Sequence, residues 1–93
     1  MICFINDDFW KPVVTTKQII DGDDIITCVN LDMEGDWEAL GNSDFSDDDL
    51  DVLSLEEMLQ LDPSLASLPE MECGMSAVRD DKDSPWQLEK TIG

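Results

Sequence analysis

Five aspartates, Asp44, Asp47, Asp48, Asp49 and Asp51, crowd into eight consecutive positions of this chain. Carboxylates at that density could ligate a hard cation, share acid–base work, or face a cationic surface. An EF-hand loop needs carboxylates at positions 1, 3 and 5, glycine at 6 and glutamate at 12. Starting at Asp44 puts Asp49 at the glycine position and Leu55 at the glutamate position. The register fails, and no metal site is expected. Acid–base catalysis is short of partners: the chain has no His and no Tyr, and it lacks a Gly-rich phosphate loop, GxSxG and HExxH. An enzyme reading would rest on carboxylate pairs such as Asp36 with Asp44, which spacing alone does not bring together. No catalytic residue, no cofactor and no enzymatic activity are expected.

The third possibility has more behind it. The chain carries 23 Asp+Glu against five Lys+Arg, a net charge of −18. From Gln18 to Val78 there are 17 acidic residues and no basic one. Surfaces that serve only solubility mix the two signs. Surface scaling predicts roughly 5,400 Å² for a folded chain of this mass. Seventeen charges on half of that give one per ~160 Å², against one per ~110 Å² for B-DNA treated as a cylinder. Such a surface repels phosphate backbones and anionic membranes, so neither nucleic acid nor a membrane is an expected partner. A basic protein is.

Ninety-three residues allow one domain, taken as 1–93, with a modest core. The Met1–Asp8 stretch lacks a basic leader, and no window approaches the ~18 apolar residues of a membrane span, so a cytoplasmic protein is expected. Cys3, Cys28 and Cys73 are odd in number and widely spaced. They are expected to be reduced, buried thiols.

The elements that must position the acids read as α+β: a small antiparallel sheet of three to five strands packed against one main helix. Residues 12–41 read as a β-meander. Its parts are a β-branched strand over 13–20, a turn at Asp21–Asp24, a strand from Ile25, a turn at Met33–Asp36, and a strand with Trp37 and Ala39 on one face. Residues 42–53 read as an acidic loop. Ser54-Leu55-Glu56-Glu57 is a capping box opening a helix over 54–66, with Pro63 at the stop and Asp62 able to cap a further turn. Residues 73–90 read as a returning strand region. Trp37, Leu55, Leu59 and Trp86 are expected to share the core.

Several of these pieces form a pattern: Val-Thr-x-Lys in the first strand, Gly-Asp-Trp-x-x-x-Gly from Gly35 to Gly41, Asp-Pro-Ser-Leu from Asp62 to Leu65, and Pro85-Trp86. The pattern resembles a group of small, mostly uncharacterised bacterial proteins. It is similar to a domain-of-unknown-function family assigned as immunity proteins in polymorphic toxin systems. The resemblance implies a single cytosolic α+β domain that neutralises a cognate toxin, and it transfers no functional residue.

The expectation is an acidic protein-binding inhibitor that occludes the active or substrate site of a basic toxin or nucleic-acid-processing enzyme. The partner-binding residues would be Glu34, Asp36, Asp44, Phe45, Asp47, Asp48, Asp49 and Asp51. No cation is expected nearby in the folded monomer to satisfy the aspartates, and Phe45 would serve as an apolar anchor. The alternatives are a nucleic-acid mimic of phage or mobile-element origin that blocks a restriction or CRISPR complex, and an adaptor without inhibitory role.

Overall fold

The computed structural model describes residues 7–90. Strand β1 (Pro12–Thr16) runs directly into a one-turn helix α1 (Lys17–Ile20), followed by β2 (Cys28–Leu31) and β3 (Trp37–Leu40). A 3-10 turn (Asp47–Asp49) leads into β4 (Leu50–Ser54) and helix α2 (Leu55–Leu61). A second 3-10 turn (Pro63–Ser67), β5 (Met75–Val78) and β6 (Gln87–Lys90) complete the order.

The fold is α+β, with one sheet of six strands in the order β4-β1-β3-β2-β5-β6. Two expectations fail. The sheet exceeds five strands, and it is mixed, because β1 pairs parallel with β3 while every other pair is antiparallel. Residues 12–41 are therefore not a meander. The β-branched run 13–20 breaks at Thr16, whose Oγ1 accepts a hydrogen bond from the Ile19 amide and caps α1. Residues 42–53 are not one loop either, since Leu50 to Leu53 pair with Val13 to Thr16 as an edge strand.

Alternation sorts the two sheet faces. Val13, Val29, Leu31, Trp37, Ala39 and Ala77 are buried on one face and join Ile19, Leu55, Met58, Leu65 and Met71 in one core cluster. Leu59 and Trp86 are half-buried against that cluster rather than inside it. The capping box forms as the sequence dictates: Ser54 Oγ accepts from the Glu57 amide at 3.1 Å, and Glu57 Oε1 accepts from the Ser54 amide at 3.0 Å. Asp62 Oδ1 accepts from the Ser64 amide and caps the second 3-10 turn, with Pro63 at its first position. Two thiols depart from expectation: Cys28 is half-buried and Cys73 exposed, both free, while Cys3 lies outside the described residues.

Candidate functional site: two acidic ends

The expected binding residues divide between opposite ends of β3. Glu34 and Asp36 lie in the β2–β3 turn, at the end where Val13 pairs with Trp37 and Pro12 with Ser54. Asp44, Phe45, Asp47, Asp48 and Asp49 follow the far end of β3, near where Leu50 pairs with Thr16. Four residues of strand separate the two ends by roughly 10 Å. The structure does not assemble them into one patch. Asp51 belongs to neither, because it sits on β4 opposite Thr15, with its carboxylate accepting from the Val52 amide.

The end beyond Leu40 is the more heavily charged, and it recruits residues that the sequence reading left out. Asp24, in the turn after α1, accepts from the Asn42 amide at 3.3 Å and from the Ser43 amide at 2.9 Å. Gly41 makes that approach possible, since the Asp24 carboxylate and the Ile25 carbonyl fill the space where a Cβ would sit. Burial opposes ionisation of Asp24, but the Ser43, Ile25 and Asn42 amides outweigh it and hold its carboxyl below the ordinary aspartate range. The Asp21–Asp24 turn is thereby tied to the Asn42–Asp49 segment. Its charge was visible as three acids in four positions, but its proximity depended on the long-range pairing.

Within the segment, Asp49 accepts from the Ser46 amide at 3.1 Å and is lowered first by that bond, then by the Gln18 side chain. Lys17 also adds to the lowering. The expectation that no cation serves this run is thus corrected: α1 brings Lys17 to bear on Asp49. The carboxylates of Asp44, Asp47 and Asp48 accept no hydrogen bond from the described residues, and all three residues are exposed. Phe45 stands among them with 41% of its surface open to solvent, and Ile25 is 37% exposed.

At the other end, Asp32, Glu34 and Asp36 come close enough that one carboxylate oxygen from each lies within 4.8 Å of the others. Asp32 Oδ1 accepts from the Glu34 and Asp36 amides at 2.9 Å each, so this carboxylate closes its own turn. Gly35 supplies the positive φ of +87° that the turn requires.

No protein-family model, no curated protein and no solved structure matches the chain.

Proposed function

We propose that this chain is an acidic protein-binding inhibitor of the immunity-protein kind, acting in the cytoplasm on a basic toxin or nuclease. The joining of the Asp21–Asp24 turn to Asn42–Asp49 through Asp24 carries the reading. It concentrates carboxylates at one end of the sheet with Phe45 exposed among them. Complementary charge accelerates encounter, and an aromatic anchor slows dissociation. The mode of inhibition would be occlusion of the partner's cationic substrate site. Mimicry of nucleic acid is less well supported, because a mimic needs charge spread along an elongated body and this one measures 30 × 27 × 24 Å.

The test is affinity capture from the native host, followed by activity assays of whatever is captured. Asp44, Asp47 and Asp48 changed together to Asn should slow association most at low salt, and Phe45→Ala should speed dissociation. Asp49 is left intact, since it holds the Ser46 turn. A triple variant that inhibits like the native chain at every ionic strength would sink the proposal.

A further inference from the structure

The sheet face opposite the core holds a second feature, separate from the acidic end. Register sets Val52, Val14, Glu38 and Asn30 side by side across β4, β1, β3 and β2. These four, with Asp32 and Asp36 at one rim, help to line a cavity of about 420 Å³ built from strand and turn residues alone. One wall is aliphatic, with Val14 half-buried and Val52 53% exposed. The other wall carries the carboxylates of Glu38, Asp32 and Asp36.

These carboxylates are positioned but not neutralised. The Asn30 amide donates to Glu38 Oε1 at 2.8 Å, and Asn30 is in turn held by the Ser76 hydroxyl. Asp32 is fixed by two backbone amides of its own turn. Among the described residues the ion pairs are Lys11 with Asp7 and Arg79 with Asp62. Lys11 lies beside Gly35, but its ammonium is engaged by Asp7 at 3.1 Å.

A groove with one aliphatic wall and one carboxylate wall is complementary to a side chain that is apolar along its stem and cationic at its tip. Arginine fits better than lysine. Its planar guanidinium offers five donors to several carboxylates at once, and it is more weakly hydrated than an ammonium. We infer that this cavity binds an arginine side chain presented by a basic protein. The inference stands independently of the reading of the Asp44–Asp49 end.

The experiment titrates N-acetylarginine methylamide into the full chain at low ionic strength, observing methyl and side-chain amide NMR signals. Saturable shifts are expected at the Val14 and Val52 methyls and the Asn30 amide, with N-acetyllysine methylamide binding several-fold more weakly. Glu38→Gln keeps an oxygen for the Asn30 amide and should weaken binding at least fivefold. Val52→Lys, at an exposed position, should place the chain's own cation in the groove and abolish it. Shifts that never saturate, or that are as large around Asp44–Asp49, would overturn the inference. So would either variant binding like the native chain while keeping a native spectrum.

Discussion

The guanidinium of Arg79 lies 3.0 Å from the carboxylate of Asp62, joining the end of β5 to the end of α2. Only 1% of the Arg79 side chain is exposed, against 22% for Asp62. Its Nε donates to the Ile26 carbonyl and its Nη1 to Ser64 Oγ, and the group stacks 4.1 Å over the Trp86 ring. A cation in so acidic a chain is thus consumed by the interior, where it joins the loop before β2, the second 3-10 turn and the C-terminal region.

Arg79→Ala should cost about 3 kcal/mol, measured by urea denaturation, because it strands the Ile26 carbonyl and a partly buried carboxylate. Arg79→Lys should recover little of that, since a point charge replaces neither the fork nor the stacking. Full stability in the Lys variant would mean that charge alone is what the position needs.

The core ranks its leucines. Leu55 is completely buried and Leu59 only partly. Leu55→Ala should fall within the ~2–5 kcal/mol seen for buried leucine truncations, and Leu59→Ala at or below the low end. Denaturation midpoints in the reverse order would contradict the helix orientation.

Asp7 offers a pH test. Burial opposes its ionisation, but hydrogen bonds from Trp37 Nε1 at 2.8 Å, the Asp8 amide and Lys11 hold its carboxyl below the ordinary value of 3.8. A folded-state value below the unfolded one contributes stability that is complete above about pH 4 and lost as pH falls through the lowered value. The Trp37 indole N–H resonance should move only in that acid range. Asp7→Asn should remove this movement.

Repulsion among 23 carboxylates should yield to screening. The Debye length falls from ~30 Å at 0.01 M salt to ~10 Å at 0.1 M. The melting temperature should therefore rise over that interval in sodium chloride. A fall would show that the ion pairs outweigh the repulsion.

Local chemistry was legible in the sequence, and long-range pairing was not. Ser54 with Glu57 and Asp62 with Pro63 announce their caps because a cap is decided within three residues. Trp37 and Ala39 announce a buried face because alternation is a property of one strand. By contrast, Val13–Ile20 looks like uninterrupted strand, and only the bond from the Ile19 amide to Thr16 reveals where it turns helical. Leu50–Ser54 escaped notice because an edge strand with Asp51 exposed and Val52 turned outward carries a weak apolar signal. The split between Glu34 and Asp44 follows from the direction of β3, which no local pattern encodes. Nothing within the 73–90 strand region marks Arg79 as interior; its burial depends on Ile26 and Asp62, distant in sequence, as well as on nearby Trp86.

The parallel pairing of β1 with β3 also orders the chain's birth on the ribosome. Val13 finds its first neighbour at Trp37 and its second at Leu53, so β1 emerges long before either flank exists. The β2–β3 hairpin can close on itself once Leu40 is made and take β1 on its β3 edge, while the other edge of β1 waits open for β4. A nascent chain halted at Asp49 would present the β4-facing edge of β1, from Pro12 to Thr16, to any other strand in reach. The carboxylates at Asp21, Asp23 and Asp24, made just after it, give neighbouring nascent chains a reason to keep apart until β4 arrives.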